Sequence, residues 1–224
     1  MEKFLREQII DLVKSEVVPA VGCTEPIAVA LCVAKAAEVL GTSPEQIDVL
    51  LSANILKNAM GVGIPGTGMI GLPIAVALGA LIGKSVYGLE VLKDVTDEAV
   101  ERGKAMIAAN CIHIGLKENI TEKLYIEVMV KAGADTAIAV ISGGHQNFVK
   151  VKRNDTLLLE KKTEEGHEQE CECSCLNMRM VYDFSMTAPL EEIVFIREAQ
   201  QLNEKAAEES LKGNYGHLLG KTLS

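Results

Sequence analysis

From Asn58 to Gly83 the sequence carries no charged side chain, and lysines at 57 and 84 flank the run like membrane-interface anchors. No other stretch constrains the fold as strongly, because so long an apolar run must be buried in lipid or in protein. Its first half holds Gly61, Gly63, Pro65, Gly66, Gly68, Gly71 and Pro73. An irregular backbone of that kind cannot face lipid without stranding peptide groups. Only Leu72 to Leu81 reads as continuous helix, and that is too short to span. The sequence therefore predicts a buried glycine-rich loop that feeds a core helix, with no membrane partner.

The remaining composition agrees with a packed protein. The chain has 224 residues, of which 48% are hydrophobic and 4% aromatic, enough for one large domain or two small ones. Its net charge of -9 argues against a nucleic-acid surface, which needs a basic patch to displace phosphate counterions. Charges within Met1 to Arg6 leave no secretory signal visible, so a cytoplasmic setting is expected. All six cysteines are then read as thiols or metal ligands rather than disulfides.

Apolar and polar periodicity predicts an α+β chain: a mainly helical part with an inserted helix-plus-antiparallel-sheet subdomain. Helices are expected over 4–17, 26–40, 72–81, 96–109 and 189–211. Strands are expected over 47–51, 111–117, 124–132, 135–142 and 148–153, with a further short one at 157–159. Residues 1–84 and 186–224 form the helical, catalytic-type domain in this reading. Residues 85–162 form the α+β subdomain, and 163–185 a linker.

Cys23 is the most informative cysteine, since it follows Gly22 in a flexible link and precedes a helix capped by Thr24 or Glu25 with Pro26 in its first turn. A helix dipole there favours the thiolate, the form that ligates metal or attacks carbon. Asn54, Lys57 and Asn58 share one face if their segment is helical, presenting an ammonium and two amides beside the glycine-rich loop. Gly61-Val62-Gly63-Ile64-Pro65-Gly66-Thr67-Gly68 is neither a P-loop nor a dinucleotide fingerprint, but its backbone amides can hold a small carboxylate. Cys171, Cys173 and Cys175 lack the spacing of a zinc ribbon and read as a solvated linker. His145 lies in the turn Ser142 to Asn147, where a side chain can serve as base or donor.

Three segments resemble the L-cysteine desulfidase family: VGCTEPIAVA from Val21, SANILKNAMGVGIPGTGMIG from Ser52, and AIAVISGGHQN from Ala137. That family is related to the alpha chain of iron-sulfur L-serine dehydratases, and the chain is similar to its N-terminal half. The resemblance implies a lyase with a [4Fe-4S] cluster that converts L-cysteine and water to sulfide, ammonia and pyruvate. It implies Cys23 as one of three cluster ligands, the other two belonging to the half not present here. Gln146 follows His145 where the family pattern has Thr. We expect Lys57 and His145 as catalytic side chains, with Asn54, Asn58, Gly61, Gly63, Gly66, Thr67 and Gly68 around the substrate. The expected partners are a small amino-acid substrate and the missing half or a partner chain, with self-association open. A cluster-free carboxylate-binding or scaffold protein, or a serine dehydratase-like lyase, are the alternatives.

Overall fold

Helix α2 (Thr24–Leu40) is built almost wholly of Ala, Val, Leu and Ile, and a helix apolar on every side must be enclosed. In the structure, a computed structural model that describes residues 1–161, 176–213 and 219–223, it is buried from Pro26 through Ala34. Gly41 ends it in the left-handed region at φ 79°, donating its N–H to the Ala37 carbonyl at 3.0 Å. The cap falls one residue before Thr24, the earlier of the two expected caps. Cys23 itself is the N-cap, and Pro26 occupies the first turn, where its missing N–H costs nothing.

A six-stranded mixed sheet lies over α2, in the order β4-β1-β5-β6-β7-β8. Its strands are β1 (Gln46–Leu51), β4 (Ile112–Leu116), β5 (Tyr125–Ala132), β6 (Asp135–Ser142), β7 (Phe148–Arg153) and β8 (Thr156–Glu160). Alternation sorts the two faces. Ile47, Val49, Leu51, Ile126, Val128, Val130, Ala137, Ala139 and Ile141 are buried in one cluster with α2. Each Val, Leu or Ile side chain among them removed from water contributes about 1.5–3 kcal/mol. The Cys32 thiol of α2 donates to the Ala139 carbonyl at 3.3 Å, and its burial pushes its pKa upward. Tyr125, Glu127, Lys131 and Asp48 stand on the opposite face.

The α+β class is as expected, but the sheet does not stay within 85–162. β1 lies between β4 and β5, parallel to the first and antiparallel to the second. Parallel neighbours require a crossover. Here it runs through α3 (Ala53–Ala59), the small hairpin of β2 (Gly63–Ile64) and β3 (Met69–Ile70), α4 (Leu72–Ile82), the 3-10 segment Ser85–Glu90, and α5 (Asp97–Ala108). A wholly antiparallel meander cannot be read back onto this arrangement, because β1 belongs by sequence to the part expected to be helical.

Contacts group the chain into Ala20–Gln169 on one side and Met1–Pro19 with Glu170–Ser224 on the other. The second unit contains α1 (Lys3–Glu16), α6 (Met178–Thr187), α7 (Leu190–Ile193), α8 (Ile196–Lys212) and α9 (Leu219–Leu223). Within it, the Arg6 guanidinium donates to both Glu192 carboxylate oxygens at 2.9 and 3.0 Å. Helix α6 replaces the end of the expected 163–185 linker: Asn177 caps it by accepting from the Met180 N–H at 3.0 Å. The expected 189–211 helix is broken between Ile193 and Ile196. No described helix is long and apolar enough to cross a membrane. Cys171, Cys173 and Cys175 lie outside the described residues.

Candidate thiol-carboxylate site beside the glycine-rich loop

Gly22 sets the position of Cys23. Its φ of 85° suits glycine, and a Cβ there would stand 2.8 Å from Pro65 Cγ. The link before α2 is thereby pressed against the glycine-rich loop. Val21 fixes it from the other side, donating its N–H to the Leu89 carbonyl at 3.1 Å.

At the helix N-terminus, Cys23 Sγ donates to Glu25 Oε2 at 3.0 Å. Glu25 Oε1 accepts from Asn58 Nδ2 at 3.2 Å, and Thr24 Oγ1 donates to Oε2 at 3.3 Å. One carboxylate thus ties Cys23 to the exposed face of α3. Burial raises the Cys23 pKa, and the hydrogen bond to Glu25 raises it further. Backbone donors of Thr24 and Glu25 at the helix start act in the expected direction and lower it, but burial first and then the carboxylate outweigh them. The Glu25 pKa is lowered, chiefly by the bond from Cys23 and then, against the cost of burial, by backbone, Asn58 and Thr24 donors. Sequence reading passed over Glu25 as a helix cap; its place two residues after Cys23 was the available signal.

Helix α3 forms because Ser52 caps it and joins it to the sheet. Ser52 Oγ accepts from Ile55 N at 3.5 Å and Tyr125 N at 3.3 Å, and donates to the Lys123 carbonyl at 2.8 Å. Ile55 and Ala59 face the core, which turns Asn54, Lys57 and Asn58 outward. These three share an exposed face as expected. Only Asn58 reaches Glu25.

In the loop, Thr67 is committed to the hairpin. Its hydroxyl donates to the Ile64 carbonyl at 2.6 Å and accepts from Met69 N at 3.0 Å. Gly66 and Gly68 adopt φ of 75° and 64°, and nothing lies within 4 Å of a Cβ built at Gly61, Gly63 or Gly68. The backbone at those three glycines is open to a ligand. Gly66 is different, because a Cβ there would sit 3.2 Å from Val95 Cγ1.

His145 is half-buried in a turn braced by Asn147, whose Nδ2 donates to the Ser142 carbonyl at 2.9 Å. The neighbouring Gln146 Oε1 fills the space over Gly88 that a Cβ would need. The 3-10 segment is therefore held by the His145 turn at Gly88 and by the Cys23 link at Leu89. It connects two site elements that have no direct bond. A depression lined by Val194, Phe195, Arg197, Glu198 and Gln201 lies in the helical unit and includes none of the expected site residues.

Among the described residues no three His, Cys, Asp or Glu side chains converge as a metal cage. The donors present fit one corner of a thiolate-ligated cluster and not a whole one.

The fold and site define an α+β protein with a hydrogen-bonded thiol-carboxylate pair beside an open glycine-rich loop. The chain is similar to UPF0597 proteins: 66% identical over 218 residues to one from Bacteroides fragilis, covering 97% of this chain and 51% of the relative. It is 56% identical to one from Parabacteroides distasonis and 44% to one from Porphyromonas gingivalis, covering 53% of each. The chain spans about half the length of the curated relatives it matches. No protein-family model and no solved structure matches it.

Proposed function

We propose that the chain is the portion of an iron-sulfur-dependent L-cysteine desulfidase that brings one cluster ligand and the substrate-holding face. The observation that carries this reading is the Cys23–Glu25–Asn58 chain of hydrogen bonds, which joins a potential thiolate ligand to the polar face of α3. Cys23 must shed its proton to ligate iron, a loss the metal itself favours, and Glu25 Oε2 at 3.0 Å accepts the thiol's hydrogen bond until then. When bound, the cluster supplies a Lewis acid for a departing thiolate.

The chain's own groups do the rest. The Lys57 ammonium and the Asn54 amide on the exposed α3 face meet the substrate carboxylate, with the amides of the Gly61–Gly68 loop as further donors. His145 is the proton acceptor for the α-carbon, with Lys57 acting on the carboxylate beside it. The C–H electron pair becomes a C=C bond as the C–S bond breaks and hydrosulfide leaves. Water then adds to the enamine's imine tautomer, releasing ammonia and pyruvate.

A hybrid protein tests this: the 218 matched residues of the Bacteroides fragilis relative are replaced by this chain, and the product is reconstituted anaerobically with iron and sulfide. Sulfide release from L-cysteine is expected, with loss of both cluster absorbance and activity in Cys23→Ser. Retention of the cluster in Cys23→Ser overturns the reading. Pyruvate from L-serine without sulfide from L-cysteine moves it to a serine dehydratase-like lyase. The 224-residue chain alone is expected to hold no stable cluster. A cluster-free carboxylate-binding protein is the second reading, favoured by the protonated, carboxylate-bonded state of Cys23. It predicts tight binding of small carboxylates by the hybrid with no turnover.

A further inference from the structure

Helix α6 carries Met178, Val181, Tyr182 and Met186 at i, i+3, i+4 and i+8, one continuous apolar stripe. Its polar flank is closed on itself, Arg179 Nε donating to Asp183 Oδ2 at 3.1 Å. The stripe is open: Met178 is 82% exposed, Met186 66% and Tyr182 60%. Beyond the extended Ala188 and Pro189, Leu190, Val194 and, on α8, Leu202 are exposed as well, and none of α6, α7 and α8 contains a buried residue. Helices draw most of their stability from a buried face. Scattered single apolar side chains on a surface are ordinary, but a periodic stripe on one helix, with further exposed apolar side chains after it, marks a surface that another element covers.

We propose that the apolar faces of α6 and α8 seat the second half of the polypeptide that the relatives carry. The occupant follows from length. The match takes in 97% of this chain and 51% of the Bacteroides fragilis relative, so a segment of nearly equal size lies outside it. A segment joined in the same chain meets this face at an effective concentration on the order of millimolar, ahead of any second copy. The proposal rests on this length and on the exposed faces, and needs no iron and no catalysis.

Hydrogen exchange on the 224-residue chain and on the hybrid protein described above tests it. Amides of 178–211 are expected to exchange at least tenfold more slowly in the hybrid, while the core strands 126–141 exchange equally in both. Tyr182→Glu with Met186→Glu in the hybrid returns 178–211 to the fast rate and leaves 126–141 unchanged. Val86→Glu, at an exposed position outside the helical unit, leaves 178–211 slow. Equal exchange of 178–211 in chain and hybrid overturns the proposal. So does a lone chain that sediments as a dimer with 178–211 already protected, which would make a second copy the occupant. Loss of sulfide production with slow exchange retained would count against the proposed function and not against the interface.

Discussion

Substituting Gly79 by Ala exposes how tightly the two core helices meet. In an ordinary helix interior this change gains about 1 kcal/mol, because alanine is the better helix former. Here a Cβ on Gly79 would stand 2.6 Å from the Ala30 carbonyl oxygen and 3.0 Å from its Cα. The first contact is about 0.8 Å short of ordinary van der Waals separation, and backbone atoms cannot rotate away. Helices α2 and α4 must part along the seam where Gly79 meets Ala30 and Gly83 meets Ala34, both alanines fully buried. A gap of that size forfeits a quarter to a half of the dispersion energy of each contact it opens, and overpacking of this kind costs about 3 kcal/mol at the upper end of its range. Subtracting the propensity gain leaves a net loss of about 2 kcal/mol. For a chain of this length that lowers Tm by about 4–8 °C. Thermal melts followed by circular dichroism measure it. Adding Ala30→Gly should give no rescue, since the clash is with backbone rather than the methyl group. A Tm equal to or above that of the parent would refute the reasoning.

Burial and then the Glu25 carboxylate raise the Cys23 pKa, so Glu25→Gln, which removes the second cause, is expected to lower it and speed alkylation by iodoacetamide at neutral pH. An unchanged rate would break the proposed link; Cys32, buried, should stay unreactive in both. Removing the Ser52 hydroxyl by Ser52→Ala takes a helix cap and a bond to the Lys123 carbonyl together, a loss of about 2 kcal/mol read by urea denaturation. Burial alone would raise the Glu127 pKa, but donors from Lys117 and Tyr125 outweigh it and hold it low. Its contribution to stability is therefore present above the unfolded carboxylate pKa of about 4.3 and fades as pH falls through the lower folded value. In Glu127→Gln the acid limb of the stability curve should flatten, and a limb identical to the parent's would count against that assignment.

Local signals made much of the molecule legible. Gly41, Thr96, Pro26 and the alternation of Leu124 to Lys131 each fix their own backbone, and the structure ends helices or turns strands at or within two residues of them. The short helix under Asn54, Lys57 and Asn58 entered the sequence reading only as a condition for their sharing a face, and the structure supplies it. Helix α6 was missed although Asn177 and the stripe from Met178 announce it, because its neighbourhood reads as a polar, acidic stretch. The break after Ile193 carries no proline or glycine, and periodicity runs straight through it.

What the sequence decided by itself is most of the elements and the burial of the core helix Leu72–Ile82, since both depend on neighbours a few residues apart; the glycine-rich half of the charge-free run, expected to be buried, is instead exposed at Gly61, Gly63, Pro65, Gly66, Gly68 and Ile70, because it forms a small surface hairpin. Tertiary structure alone decided that β1 pairs in parallel with β4, that Gly22 rests on Pro65, and that Glu25 joins Cys23 to Asn58. These pairings link residues 33 to 65 positions apart, and chain closure over such distances is set by the packing of the whole core rather than by any local preference. The protonation of Cys23 belongs with them. Its helix-end position predicts a thiolate, whereas the burial that the fold imposes and then the carboxylate brought within 3.0 Å raise its pKa.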